Sequence, residues 1–197
     1  CKLADHYKDQ PDALAWCVRS IGERLRWRES KQTVESCNRL LAAATSSDDP
    51  RVRLQAAIAA GKMAPNYDAA VHPTKILIEV LNGASDDGLL PRVVWQNLQR
   101  RVVADQTLIV ERLASASEVD SLLVGMAPRI ATRLLADVKP DLSAPTDTAT
   151  LASALAIADS LASRSGSAEG EVLQSVLAKL HTGEIRAGTA KATLRKW

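Results

Sequence analysis

Residues able to do acid–base, nucleophilic or metal chemistry are few in this 197-residue chain, and they stand apart from one another. Histidine occurs at His6, His72 and His181 only, and cysteine at Cys1, Cys17 and Cys37. A metal site needs three or four such ligands brought together, commonly one helical turn apart. Asp5 and His6 are adjacent, which points their side chains apart on a helix, and His181 has only Glu184 near it. No metal ligand set is expected from this spacing. A Cys17–His6 nucleophile would need a third group to orient the imidazole and a loop of backbone amides to hold an oxyanion, and the sequence spells neither. Phosphate-cradling loops of the Gly-x-x-x-x-Gly-Lys type are missing too. The residues therefore give no catalytic group, no cofactor and no metal, and the chain reads as something other than an enzyme.

Binding chemistry is better represented. Arg19, Arg24, Arg26, Arg28 and Lys31 lie among Trp16 and Trp27, opposed only by Glu23 and Glu29. Arg24 and Arg28 fall one helical turn apart, and Arg100 and Arg101 would extend the same face if the fold curved suitably. Arginine neutralises phosphate and tryptophan stacks on bases, so the cluster suits a nucleic-acid backbone. Set against this, a row of charges on a helix is ordinarily a solvated face. The terminal cluster of Arg186, Lys191, Arg195 and Lys196 is most simply positive charge complementing a helix C-terminus. Trp95 is either core filler or an exposed binding anchor.

Composition narrows the fold. Apolar residues make up 46% of the chain, aromatics only 3%, and there is no Phe, so Leu, Ala, Val and Ile must build the core. Small aliphatic side chains suit closely packed helices better than a β-sandwich. A chain of this length buries about 70% of its unfolded surface without needing metal or disulfide. The formal charge of +2 is too balanced to announce a nucleic-acid or membrane partner. The most apolar stretch, residues 151 to 162, is interrupted by Ser153, Asp159 and Ser160 and is too short to cross a bilayer. Three cysteines confined to the first fifth of the chain make no disulfide framework. Cys17 and Cys37 are expected as buried thiols, with a bridge between neighbouring helices as the alternative. The start at Cys1 rather than Met suggests a piece of a longer polypeptide, or a processed lipoprotein beginning at Cys1.

The elements that would carry these residues are helices. Leu14, Val18, Ile21 or Gly22, and Leu25 predict one over 11–28; Val34, Cys37, Leu40 and Leu41 predict another over 31–44. Residues 48–61 write out a third with both ends marked. Asp49 is placed to cap it, Pro50 suits its first turn, Val52, Ala56, Ala59 or Ala60 and Met63 share a face, and Gly61 is available for a left-handed stop. Further helices are expected from Pro73 and from Leu90, the second with Leu90, Val94, Leu98 and Val102 on one face. Next come 107–116 and 119–136, which Pro128 should kink or divide near Ala127. The last three are expected over 148–162, 171–181 and 186–197. The string Asp48-Asp49-Pro50 is echoed further on by Asp86-Asp87-Gly88.

The segment Asp49-Pro50-Arg51-Val52-Arg53, followed by an Ala-rich run and Gly61, resembles the second helix of a HEAT repeat, and the interval from Asp48 to Asp86 is close to the HEAT/armadillo period of about 40 to 47 residues. The resemblance implies that Asp49 and Arg53, with Pro50 and Gly61, hold repeats together. Asp86 to Leu98, with Leu90-Pro91-Arg92-Val93-Val94-Trp95-Gln96-Asn97-Leu98 at its centre, is similar to the HEAT-like region of large planctomycete and verrucomicrobial secreted proteins, and the likeness extends over residues 30 to 135. In those proteins a propeller dehydrogenase-like domain precedes the repeats and a c-type haem domain follows. No Cys-x-x-Cys-His occurs here, so neither redox chemistry nor haem is implied for this segment.

The expectation is an all-α, right-handed α-solenoid of HEAT/armadillo-like helix pairs: repeats over 1–136, a linker at 137–147 containing Pro140 and Pro145, and C-terminal helices over 148–197 that continue or cap the stack. Its expected role is a scaffold for protein–protein or interdomain contact within a larger multidomain protein. The resemblance implies an extracytoplasmic location; a free-standing gene would be cytoplasmic. The alternative is a nucleic-acid-binding module with Arg24, Arg28, Arg100 and Arg101 as phosphate contacts.

Overall fold

Every regular element among the described residues is an α-helix. The computed structural model describes residues 6–7, 10–24, 31–63, 72–82, 84, 87–117, 120–162 and 168–195. Two units divide the chain, residues 1–98 and 99–197. This division falls inside the stretch expected as continuous repeats, whereas 137–147 lies within the second unit.

The first unit contains α1 (Pro11–Arg24), α2 (Lys31–Thr45), α3 (Pro50–Lys62), α4 (Pro73–Glu79) and α5 (Leu90–Leu98). Helix α3 is central: it touches α1 and α5, as well as α2 and α4, while α2 and α4 touch each other. Contacts between alternate helices thus form one row of α1, α3 and α5 beside a second of α2 and α4. A repeat in burial underlies the first row. Leu14, Val18 and Gly22 on α1, Val52, Ala56 and Ala60 on α3, and Leu90, Val94 and Leu98 on α5 are all buried, and the interval from each set to the next is the one that separates Asp48 from Asp86. The sequence strings at Asp48 and Asp86 mark only the second and third of these sets.

The small residues of α3 follow from its having a neighbour on both sides. Ala59 and Gly61 are two residues apart, about 200° around a helix, so they face opposite ways. On one side the Ala59 Cα lies 2.7 Å from where a Cβ on Gly22 would stand, which lets α1 approach backbone to backbone. On the other, the Gly61 position is closed by Asn97 of α5. The left-handed stop expected at Gly61 does not form. Instead α3 runs on through Lys62 to an extended cap at Met63, and Gly61 serves close packing.

The second unit contains α6 (Gln106–Ala114), α7 (Ser121–Leu135), α8 (Pro145–Ala162), α9 (Ala168–His181) and α10 (Ala187–Leu194). Here α8 is central, touching α6, α7, α9 and α10, and α7 touches α9. The same alternate-helix rule holds: α6, α8 and α10 in one row, α7 and α9 in the other. Helix α7 runs unbroken through Pro128, against the expectation of two pieces. Proline in a helix interior costs about 3 kcal/mol, whereas each large apolar side chain buried returns about 1.5–3 kcal/mol. Leu123, Met126, Ile130, Leu134 and Leu135 are all buried, so tertiary packing outweighs the lost hydrogen bond.

Helix α8 begins at Pro145, inside the expected linker, with the Asp147 Oδ2 accepting from the Ala144 amide at 3.2 Å. The connection before it is pinned to the far end of the unit, because the Arg186 amide donates to the Pro140 carbonyl at 2.9 Å. Arg186 consequently stands at the N-terminus of α10, not in a C-terminal cluster. Asp120 is a further fixed point in this unit. Its buried carboxylate accepts from Arg112 Nη2 at 2.8 Å, the Ser117 amide at 2.8 Å and Ser117 Oγ at 3.1 Å.

Candidate functional site

The expected binding residues are placed as follows. Arg28 and the side chain of Arg24 lie outside the described residues, as do Arg26, Trp27 and the side chain of Lys31. Arg100 is exposed and Arg101 half-buried in the second unit. Burial pushes the Arg101 guanidinium below its ordinary range, and the Asp105 charge opposes that shift. Trp95 is half-buried on α5. Trp16, by contrast, is 67% exposed, and the Arg19 guanidinium carbon sits 5.4 Å from its ring centroid, a cation–π pair at the surface. Cys17 and Cys37 are half-buried and not bridged to each other. His6 stacks edge-on against Tyr7 with centroids 4.8 Å apart, and His181 is exposed at the end of α9. Among the described residues no three His, Cys, Asp or Glu side chains gather as a metal site would require.

The most developed polar constellation in the first unit surrounds the start of α3. Pro50 occupies its first turn, and the Asp49 Oδ1 accepts from the Arg51 amide at 2.8 Å. Arg51 also pairs its Nη2 with Asp49 Oδ2 at 2.8 Å and its Nη1 with Asp12 of α1 at 3.0 Å. The hydrogen bond from Arg51 holds the Asp49 carboxyl below the usual carboxylate range. At α5 the Asp87 Oδ1 repeats this cap, accepting from the Leu89 amide at 2.8 Å and the Leu90 amide at 3.0 Å.

One turn into α3, Arg53 is only 8% exposed, and its Nη1 donates to the Asn82 carbonyl at 2.9 Å. That bond spans 29 residues and fixes the end of α4 against the start of α3. The guanidinium lines a pocket of about 400 Å³ whose walls include Ser46, Ser47 and Asn82 and whose rim carries Asp48 and Glu79, both exposed. Its hydroxyls are partly committed. Thr45 and Ser46 donate to the Ala42 carbonyl, each at 2.9 Å, while Ser47 Oγ accepts from the Asp49 amide at 3.2 Å and keeps its own hydrogen free.

In the second unit a groove of about 390 Å³ runs between α8 and α10, lined by Ala152, Leu155, Ala156, Asp159 and Ala192. Neither pocket was visible in the sequence: Asn82 signalled only a helix end, and nothing tied it to Arg53 across the helix that separates them.

No family model, curated protein or solved structure matches the chain.

Proposed function

We propose that the chain is a HEAT-like, right-handed α-solenoid that serves as a non-enzymatic scaffold for protein–protein or interdomain contact, as part of a larger extracytoplasmic protein. The observation that carries this reading is the pair of helix rows in each unit, with a burial pattern that recurs at one fixed interval through α1, α3 and α5. A helix in such a stack hides its apolar face only against the helices before and after it. Stacking of this kind leaves long surfaces free to carry side chains for a partner. Arg53 adds support, since it ties one helix pair to the next through Asn82.

A photo-crosslinking residue at Gln96, on the exposed side of α5 beside Trp95, tests the reading in the full-length protein in its own cells. Capture of a neighbouring domain or a partner protein is expected. Capture of nothing, or of nucleic acid alone, would sink it.

A second reading rests on the exposed Trp16–Arg19 pair, whose chemistry suits stacking on a base beside a phosphate. In it the chain is a HEAT-like nucleic-acid-binding module that also uses Arg24, Arg28, Arg100 and Arg101. Oligonucleotide affinity that falls steeply with salt and disappears in the Arg24→Glu, Arg28→Glu variant would favour it. No binding at low salt would remove it.

A further inference from the structure

We propose that the Arg53 pocket is a receptor for a single carboxylate carried on a peptide segment with basic residues on either side. The inference rests on the protein-contact reading and gives that contact a place and a chemistry.

Its starting point is the unfinished hydrogen bonding of Arg53. The side chain is 8% exposed, and its Nε is buried with no hydrogen-bond partner among the described residues. A buried donor left unmatched costs about 1–3 kcal/mol, and more when the group is charged. Nη1 is held by the Asn82 carbonyl, which fixes the plane of the guanidinium. The edge that remains is formed by Nε and Nη2; Nε has almost no accessible surface in this state, so a carboxylate reaches both donors only as the wall beside Nε yields. These two parallel donors match the two oxygens of a carboxylate, the geometry in which arginine binds most strongly. Ser47, with its hydroxyl hydrogen uncommitted, supplies a further donor in the same wall.

The amides of α3 do not compete for the ligand. Those of Val52 and Arg53 bond the Asp49 carbonyl at 3.1 and 3.2 Å, and that of Arg51 bonds the Asp49 side chain. Recognition therefore falls to side chains.

The rim decides which anion enters. Asp48 and Glu79 are exposed, and with Arg53 they leave the pocket one negative charge overall. A phosphate dianion meets two carboxylates on its way to one cation. A single carboxylate meets less repulsion, and positive groups beside it pair with Asp48 and Glu79 at the mouth. Asp48 and Glu79 line the same pocket as Arg53, within a screening length of about 8–10 Å, so positive groups on the ligand's flanks are needed to offset them. The volume of about 400 Å³ accommodates one side chain and its neighbouring backbone.

The test is an NMR titration of the intact chain, following the Arg53 Nε–H resonance. The probe is the blocked tripeptide Lys-Glu-Lys; blocked Lys-Gln-Lys, blocked Ala-Glu-Ala and inorganic phosphate serve as comparisons. Lys-Glu-Lys should shift the resonance saturably with a dissociation constant on the order of 1 mM, and Lys-Gln-Lys should not shift it. Arg53→Lys keeps the charge but loses the two-donor edge, and should abolish binding read on the Ser47 and Asn82 amides. If that variant fails to fold, Asp48→Asn, Glu79→Gln carries the test through exposed residues alone: Lys-Glu-Lys should bind about tenfold more weakly while Ala-Glu-Ala loses nothing. Equal shifts from Lys-Glu-Lys and Lys-Gln-Lys, tighter binding of phosphate, or no shift at all would each overturn the proposal. Those results would leave the scaffold reading to its own crosslinking test.

Discussion

Asn97 occupies the space that a side chain on Gly61 would need: its Oδ1 is 2.1 Å from the ideal Cβ position, and its Nδ2 donates to the Val93 carbonyl at 3.0 Å. The contact between Gly22 and Ala59 is its counterpart one step earlier in the row, since Ala59 and Asn97 stand at the same interval as the buried sets of α3 and α5. The two differ in what must yield. At Gly61 the obstacle is the end of a side chain, whereas at Gly22 it is backbone.

Gly22→Ala should therefore be the costlier change. Forcing α1 away from α3 falls in the range of about 1–3 kcal/mol found for overpacked cores, set against about 1 kcal/mol gained from helix propensity. Gly61→Ala asks only that Asn97 turn away from Val93 and Ala57, and its net cost should be under about 1 kcal/mol. Adding Asn97→Ala should then make Gly61→Ala stabilising. Urea unfolding of the four members of that cycle measures the coupling; equal losses from Gly61→Ala with and without Asn97 would show that the contact is not what Gly61 accommodates.

Asp49→Ala should cost about 1 kcal/mol through loss of the cap on α3. The loss should depend on pH in a defined direction. Arg51 holds the folded-state pKa of Asp49 below its ordinary value of 3.8, so the carboxylate's contribution is complete above that value and disappears as pH falls through the lower folded pKa. Wild type and variant should keep a constant gap from neutrality down to about pH 4 and converge in stronger acid. A gap that widens on acidification would contradict the assignment.

Asp120→Ala should be among the most damaging substitutions in the second unit. Its side chain is 2% exposed, and removal strands the Ser117 amide and the Arg112 guanidinium together. Losing one member of a buried pair costs about 3–5 kcal/mol, reduced here because Arg112 is 35% exposed and can turn to water. Asp120→Asn keeps an acceptor for Ser117 and should lose about half as much. Equilibrium denaturation distinguishes the two variants.

What the sequence disclosed divides along the range of the interactions. Helical spacing located α1 to α5 because Leu14, Val52 and Leu90 start apolar stripes that each element carries by itself, and Asp49-Pro50 wrote its own start signal. Position in a stack is a different matter. Gly61 has the same composition signal whether it ends a helix or admits Asn97, and only the neighbour decides. Pro128 reads as a breaker until the buried face around Ile130 is counted. Within the first unit Leu14, Val18 and Gly22 read as a helix face but not as the first member of the recurring series, because no Asp-Asp string precedes them. Arg53 was singled out through a family resemblance, yet its partner Asn82 and the pocket they share depend on contacts 29 residues apart.

Glycines in the second unit allow a matched test of backbone conformation. Gly183 has φ +76°, and nothing lies within 4 Å of where its Cβ would be. Gly188 has equally open surroundings but sits inside α10. Any effect of adding a methyl group at either position is therefore conformational, not a matter of packing. At Gly183 the left-handed turn ends α9 and brings the Ile185 amide to the Lys179 carbonyl at 3.0 Å, burying the Ile185 side chain. Gly183→Ala should cost about 1 kcal/mol, the penalty of placing an L side chain in that region, and Gly183→Asn distinctly less. Gly188→Ala, at the second residue of α10, should instead gain up to about 0.5 kcal/mol, because alanine loses less freedom on entering a helix and the first turn feels part of that preference. Opposite signs from one chemical change at two unhindered sites, measured by thermal or urea unfolding, identify backbone conformation as the cause; the same sign at both would mean that the turn after α9 does not hold Gly183 left-handed in solution.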